Sequence, residues 1–421
     1  MKASRILLFM LMLPLGAFAQ TLHVIFVADL QDKQFGKVSL GDQDQMFRVF
    51  ETIKWGLGYK LQTTYLSPNS KNFTAEAIKK TIQALKTQPN DIIFVHYSGL
   101  GYYPSANDEA STTSRGWLSS FFSRSAASVP KKAKPFQASN FPSFRLNEYE
   151  KNPLSLDDVG DLIATKGVRL GLVMADCRNT FPSPLVSFVD ASMIIEDLRK
   201  LIIRKLFMEP CGIMKITSAR RGESVYTNVF RNSSAFTSAF ASSFNEMLVM
   251  TTFKTLKDVS LDKLLNNTQT MMESGSTNRG GLQGYVALDK MPHALWTLND
   301  CNAALKKTII PLPSYDHIPS TSDLQKELKQ LIGTTNVPDR QKQIEKLTTY
   351  FDKNASIKVT RSAHTDTLNR QATMPIAEYL QGLEKPNPKL VSVQVHPVYI
   401  KRTDDFLLIT SVLINETWTE W

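Results

Sequence analysis

The sequence predicts an α/β fold with a mostly parallel sheet, followed by a small α+β domain. Apolar runs typical of buried strands alternate with segments of helical apolar spacing from residue 22 onward. This alternation is typical of a parallel sheet covered by helices on both faces. Proline and serine are concentrated at 313–323, which indicates a linker. The helical and strand-like runs beyond it predict a separate α+β domain at 324–421.

The elements of the first half are predicted from their apolar spacing. The predicted strands are 24–28, 60–65, 91–97 and 170–174, and the predicted helices are 44–57, 74–85 and 155–163. Ser155 is the predicted cap of the last helix, because Asp158 stands three residues later, as in a capping box. The segment 103–142 has no periodicity and is rich in small and polar residues, so we expect a mobile insertion there.

The second half continues this pattern and then changes it. A strand is predicted at 214–218, helices at 235–250 and 261–272, and a closing strand-like run at 285–288. Beyond the linker, helices are predicted at 324–332, 341–351 and 376–383, and strands at 356–359, 390–395, 399–402 and 407–413. Helices followed by antiparallel strands favour an α+β arrangement for the tail.

The first 19 residues predict a cleaved export signal. Lys2 and Arg5 flank the start of an apolar run at 6–15, and Ala17-Phe18-Ala19 is a small-x-small cleavage site. We therefore expect an exported protein, either periplasmic or secreted. The apolar run is too short to span a bilayer comfortably, and no later stretch is long and apolar enough. No membrane span is expected after signal cleavage.

The charge of the chain is basic but dispersed. The formal net charge is +10, and loss of Lys2 and Arg5 with the signal leaves 47 basic and 39 acidic residues, or +8. Apart from Lys131-Lys132-Ala133-Lys134 the excess is not clustered, so a solvated surface is favoured over a nucleic-acid partner. The six histidines lie far apart and no phosphate-binding loop is present, so neither a metal nor another cofactor is predicted.

The three cysteines do not form a disulfide scaffold. Their odd, sparse number in an exported chain allows one bridge at most. Cys211 and Cys301 are interpreted as ordinary buried thiols or, alternatively, as that bridge. Cys177 stands apart from them because it lies in a motif described next.

Two short motifs follow apolar strand-like runs and carry the candidate chemistry. They are His96-Tyr97-Ser98-Gly99-Leu100-Gly101 and Ala175-Asp176-Cys177-Arg178-Asn179. They resemble the catalytic strands of the caspase and metacaspase peptidases, where one strand ends in His-Tyr-Ser-Gly-His-Gly and the next in Asp-x-Cys. The segment 213–223 resembles a strand and turn beside that family's substrate cleft, and 233–237 resembles the start of its next helix. The resemblance covers about 22–295 and implies a caspase-like α/β/α sandwich in a domain at 20–312.

One position departs from this resemblance in a way that decides the chemistry. Leu100 stands where the family has its catalytic histidine. A cysteine peptidase needs a thiolate for attack and an acid that protonates the leaving amine, and leucine supplies neither service. His96 is a poor substitute, because four residues of strand separate it from position 100 by about 13 Å. We interpret His96 as a strand histidine bonded to neighbouring backbone.

Two alignments place the family's nucleophile differently. If Asp176 matches the aspartate of Asp-x-Cys, the nucleophile position falls on Arg178 and is substituted. If Cys177-Arg178 matches the Cys-Arg of the caspases, Cys177 is the nucleophile. The choice matters because adjacent side chains leave a strand in opposite directions. We favour the first alignment, in which both members of the dyad are lost.

The sequence leads to a leading hypothesis and two alternatives. We expect an exported, catalytically inactive, caspase-like pseudopeptidase that acts by binding a peptide or protein, without a prediction of its oligomeric state. The residues expected to line its substrate cleft are Asp29, Ser98, Gly99, Asp176, Ser218 and Glu223. The alternatives are an active cysteine endopeptidase that uses Cys177 and a purely structural exported protein. By element order, the tail resembles nuclear-transport-factor-like and polyketide-cyclase-like domains, and is expected to add a recognition site or a dimer contact.

Overall fold

The structure is a computed structural model of the chain. It describes residues 20–33, 35–68, 72–103, 139–178, 196–221, 223, 227–228, 233–277, 292–309, 318–363, 366–403 and 407–419. The predicted export signal at 1–19 and the predicted strand-like run at 285–288 lie outside these residues, as does most of the predicted insertion at 103–142.

A seven-stranded, mostly parallel sheet forms the first part of the chain. Its strands are β1 (Thr21–Ala28), β2 (Lys60–Leu66), β3 (Ile92–Tyr102), β4 (Ser143–Phe144), β5 (Leu170–Arg178), β6 (Gly212–Thr217) and β9 (Leu295–Asp300). A separate two-stranded sheet consists of β7 (Thr227–Asn228) and β8 (Ser233–Ser234). The strand order is β2-β1-β3-β5-β6-β9, with β4 paired to β3. All neighbours are parallel except β6 with β9 and β3 with β4.

Helices cover both faces of this sheet. The helices among the first 310 residues are α1 (Gly36–Leu57), α2 (Ala75–Ala84), α3 (Leu156–Ala164), α4 (Glu196–Met208), α5 (Ala235–Met250), α6 (Leu261–Thr277) and α7 (Ala303–Thr308). On one face, α2 and α3 contribute Ile78, Ile82 and Val159 to an apolar cluster. On the other face, the Phe50 ring of α1 packs edge-on against Phe94 at 4.6 Å. The predicted capping box of α3 is confirmed, because Ser155 and Asp158 bond reciprocally.

The tail is built around a second, smaller sheet. Its strands are β10 (Phe351–Ala363), β11 (Asp366–Pro375), β12 (Leu390–Arg402) and β13 (Ile409–Trp418), and its helices are α8 (Thr321–Gly333), α9 (Val337–Thr348) and α10 (Ile376–Gly382). The order is β11-β10-β13-β12. The expected antiparallel pairing is present for β10 with β11 and for β12 with β13, but it is wrong for β10 with β13, which are parallel. Leu324, Leu328 and Leu347 of the helices pack against Ile357 and Val412 of the strands. The predicted fold class, a mostly parallel α/β sheet with a second small α+β part, is therefore confirmed.

Two predictions about local structure are corrected. The two motifs do not follow their strands, because β3 extends to Tyr102 by pairing with β4 and β5 extends to Arg178 by pairing with β3. The predicted runs at 390–395 and 399–402 belong to the single strand β12.

By its contacts the chain forms two compact units. The first comprises 1–189, 207–245 and 261–310, and the second comprises 190–206, 246–260 and 311–421. Two stretches from the first 310 residues thus belong to the same unit as the tail. Within the described residues, no helix combines the length and hydropathy that a bilayer crossing requires.

A disulfide joins Cys211, just before β6, to Cys301, just after β9. Of the two interpretations left open by the sequence, ordinary thiols are wrong for this pair and the bridge is present. The antiparallel register sets Gly212 opposite Asp300, which brings the two cysteines to a Cα–Cα distance of 5.4 Å. This distance lies in the usual range for disulfides.

Loss of this disulfide is expected to destabilise the first unit strongly. The bridge closes a loop across a sequence separation of 90 residues. Replacing Cys211 and Cys301 by serine together should lower the free energy of unfolding by about 3–5 kcal/mol, mainly because the unfolded chain gains freedom. Urea denaturation with and without dithiothreitol measures this. Dithiothreitol should destabilise the natural chain and leave the double variant unchanged; a natural chain indifferent to it would contradict the prediction.

Candidate functional site

The two motifs meet at one edge of the first sheet. The parallel register pairs Ala28 of β1 with Ser98 of β3, and Ser98 in turn with Asp176 of β5. The carboxyl ends of these strands therefore lie side by side. In open α/β sheets this edge is where ligands bind. The candidate site consists of the side chains that this edge presents on the two faces of the sheet.

The register decides which residues share a face. Gly99 pairs with Cys177, and Leu100 pairs with Arg178. Successive side chains of a strand point to opposite faces. The side chain of Cys177 packs into the apolar cluster on the α2–α3 face. Leu100 consequently points to the opposite face from the thiol.

The Cys177 thiol lies against the backbone of β3. It is 5% exposed and belongs to an apolar cluster that includes Tyr97 and Phe144. A Cβ atom built on Gly101 would overlap the sulfur, with Pro142 as the next neighbour. Glycine at position 101 therefore makes the room that the thiol occupies. The surroundings of Cys177 are those of a packed core residue.

Tyr103 interacts electrostatically with Cys177 and with the charged side chains of Arg221 and Glu223. Its hydroxyl donates a hydrogen bond to the Ala219 carbonyl at 3.0 Å, and the Arg221 guanidinium lies 5.9 Å from its ring centre. Burial raises the pKa of the Tyr103 hydroxyl. Electrostatic interactions with Cys177 and Glu223 raise this pKa further. The phenol is therefore neutral and acts as a hydrogen-bond donor at this edge.

Glu223 and His293 form a hydrogen-bonded pair near Tyr103. The Nδ1 atom of His293 lies 2.9 Å from the Glu223 carboxylate, which also accepts the backbone N–H groups of His293 at 2.7 Å and of Arg220 at 2.9 Å. Burial alone would raise the pKa of Glu223, but these hydrogen bonds outweigh it and lower the pKa. Sequence reasoning missed His293. Its partner Glu223 is 70 residues away in the sequence, so no local motif indicates that the two residues are in contact.

Asp29 follows β1, which flanks β3 on one edge, whereas Cys177 belongs to β5, which flanks β3 on the other edge. The Asp29 N–H donates to the Ser98 carbonyl at 3.0 Å. Burial raises the pKa of its carboxyl, and the hydrogen bond from the Asp32 N–H opposes this only in part. Glycine at position 99 leaves room for the Tyr97 hydroxyl, because a Cβ there would come within 2.8 Å of that oxygen and 3.4 Å of the Asp29 Cβ. Asp29 is half-buried at the rim of this edge.

A buried hydrogen-bond network occupies the opposite face. Asp42 of α1 accepts from the hydroxyls of Ser98 and Ser233, both at 2.7 Å, and from the Ser234 N–H at 2.6 Å. Asp176 accepts from the hydroxyls of Ser234 and Thr237, the latter at 2.6 Å. Ser98 and Asp176, expected in the cleft, are fully buried, and so is Ser218. As placed, these three residues support the edge from within.

His96 is also buried on the face away from the thiol. It is 1% exposed, and its ring lies 6.1 Å from that of Phe26. The structure thus brings Asp29, Gly99 and Cys177 to one face of the sheet edge, and it places Glu223 near Tyr103. It places His96, Ser98, Leu100 and Asp176 on the other face. Among the described residues, no cluster of His, Cys, Asp and Glu is arranged to hold a metal ion.

The described molecule is a mixed α/β protein with a mostly parallel central sheet and a second, smaller region containing a sheet. Among solved structures it is similar to the crystal structure of caspase-1 from Spodoptera frugiperda, with a TM-score of 0.33 and 13% sequence identity. That likeness covers 67% of this chain and 87% of that chain. No protein-family model matches the sequence, and no curated protein matches it either.

Proposed function

We propose that this chain is an exported, caspase-like pseudopeptidase that binds peptide or protein segments at the carboxyl edge of β1, β3, β5 and β6 without cleaving them. One observation carries the proposal. Leu100 stands in place of the family's catalytic histidine, and its partner in the sheet register is Arg178 rather than a cysteine. This register supports the alignment in which both members of the dyad are substituted.

The positions of the remaining reactive groups support inactivity. Hydrolysis of an amide needs a thiolate and a proton donor within about 3 Å of the reacting atoms. Cys177 packs on Gly101 within an apolar cluster, and His96 is buried on the other face of the sheet. Losing a member of such a catalytic unit typically reduces the rate by about 10⁴ to 10⁶. A dyad that has lost both members has no peptidase chemistry left.

The groups at the edge support binding of a polar segment. Asp29, Tyr103 and the Glu223–His293 pair present carboxylates, a phenol and an imidazole at neighbouring strand ends. These groups donate and accept hydrogen bonds, which suits the backbone amides and polar side chains of a peptide. The disulfide Cys211–Cys301 supports export, because such bridges persist in oxidising compartments.

Purified protein without its signal should leave a library of fluorogenic peptides with acidic or basic cleavage sites uncut. The reason is the missing proton donor beside a buried thiol. The same protein, immobilised, should retain a subset of those peptides, and Glu223→Gln should weaken retention. Cys177→Ala is the control and should change neither result. Turnover that Cys177→Ala abolishes would instead favour an active cysteine endopeptidase.

We also propose that the tail is a nuclear-transport-factor-like domain that adds a second recognition surface or a dimer contact. Its helices α8, α9 and α10 pack on one side of a four-stranded sheet. Helices folded against one face of a mixed sheet support this arrangement. Analytical ultracentrifugation of the full chain distinguishes the two roles, because a dimer contact requires a dimer.

A further inference from the structure

A cavity of about 390 Å³ lies between helices α1 and α5 of the first unit. Its lining residues are Gly41, Asp44, Gln45, Arg48, Val49, Thr52, Ala241 and Asn245. The α1 residues are spaced so that they form one stripe along that helix. Small-molecule sites typically have volumes of about 300–1,000 Å³. The cavity is therefore large enough for a small metabolite, and it uses none of the residues of the strand-end site.

One polar atom of this cavity needs a donor. The Oε1 atom of Gln45 is shielded from solvent and accepts no hydrogen bond from the described residues. A buried acceptor left in this state is costly, so such atoms are normally satisfied by a protein group, a water or a ligand. Asn245 adds a second carboxamide to the lining from α5. The cavity thus presents an amide oxygen to a ligand that can donate N–H groups.

Two opposite charges stand beside that acceptor. Asp44 and Arg48 are exposed at the rim, one helical turn apart. The ion pair that α1 forms within the described chain joins Lys54 to Glu51 instead. Side chains at this spacing have Cβ atoms about 5–6 Å apart. A ligand that bridges the carboxylate and the guanidinium must carry an ammonium and a carboxylate close together.

We infer that the cavity binds a free α-amino acid with a small or aliphatic side chain. The ammonium group would donate to Asp44 and to the Gln45 oxygen, and the carboxylate would accept from Arg48, whose planar fork suits it. Val49 and Ala241 supply the apolar surface for the side chain. A peptide terminus carries only one of the two charges, so the free amino acid is the form that fits both.

Isothermal titration calorimetry of the full-length mature protein tests this with glycine, L-alanine, L-valine and L-leucine. We expect saturable one-to-one binding of at least L-leucine, and no binding of isoamylamine or isovalerate, which each lack one charge. Arg48→Met and Asp44→Asn should each weaken the affinity for L-leucine about tenfold to hundredfold, because each removes a charge-assisted hydrogen bond.

Two further variants keep the result interpretable. Lys54→Met removes a cation from the same helix outside the cavity and should leave the affinity unchanged. Gln45→Leu should weaken binding without lowering the melting temperature, because it deletes an acceptor that the described residues do not satisfy. The inference is overturned if none of the four amino acids binds, if the amine or the acid binds as well as L-leucine, or if Arg48→Met binds like the natural chain.

Discussion

A protein in which Leu100 is replaced by histidine and Arg178 by cysteine is expected to cleave peptides, whereas Leu100→His alone is not. The reason is the register of β3 and β5, which pairs position 100 with position 178. Paired residues of neighbouring parallel strands leave the sheet on the same face. A histidine and a cysteine introduced there would form a dyad, whereas Cys177 would stay on the far face. The double variant should exceed Leu100→His by at least ~10²-fold in kcat/KM, the usual contribution of a positioned acid–base group.

Two control variants distinguish a dyad at positions 100 and 178 from one that uses Cys177 as the nucleophile. Adding Cys177→Ala to the double variant should leave its activity unchanged, because the buried thiol takes no part. Arg178→Cys alone should stay inactive, because it lacks the proton donor. Fluorogenic peptide hydrolysis measures all of these variants. If Leu100→His alone hydrolyses peptides and Cys177→Ala removes that activity, the alignment with Cys177 as nucleophile is right.

Much of the fold could be predicted because buried strands and amphipathic helices leave periodic apolar signals. The strands β1, β3 and β5 are continuous apolar runs, as expected for a parallel sheet covered on both faces. The strands β9 (Leu295–Asp300) and β11 (Asp366–Pro375) were not predicted. Both lie at sheet edges, and β9 is mostly exposed, so it does not carry the alternation of a half-buried strand. In β11 the residues 371–375 do alternate between exposed and partly buried, but this stretch of the sequence was not read as a strand.

The candidate site was harder to predict, because its geometry depends on which residues of separate strands stand opposite each other. The two motifs indicated the strands that form the site. The face that Cys177 occupies, however, follows from the pairing of Gly99 with Cys177. A slip of one residue would move the thiol to the other face. Likewise, Ser98 and Asp176 gave no sign of being buried, because Asp42 and Ser233, which complete their network, are remote in sequence.

That network joins five elements through two buried carboxylates. Asp42 of α1 binds β3 through Ser98 and β8 through Ser233, while Asp176 of β5 binds the start of α5 through Thr237. Each carboxylate is fully buried, so its hydrogen bonds are what make its burial tolerable. Removing one carboxylate leaves several donors buried without an acceptor, which costs more than the bonds themselves contribute.

Asp42→Ala is therefore expected to lower the free energy of unfolding by about 3–5 kcal/mol, because two hydroxyls and the Ser234 N–H lose their acceptor. Urea denaturation followed by circular dichroism measures the loss. Asp44→Ala is the matched control, since it removes an exposed carboxylate from the same helix and should change stability by less than about 0.5 kcal/mol. Ser98→Ala should cost about 1 kcal/mol in the natural chain and less in Asp42→Ala, because the two residues are coupled. Equal losses from Asp42→Ala and Asp44→Ala would mean that the network does not hold these elements together.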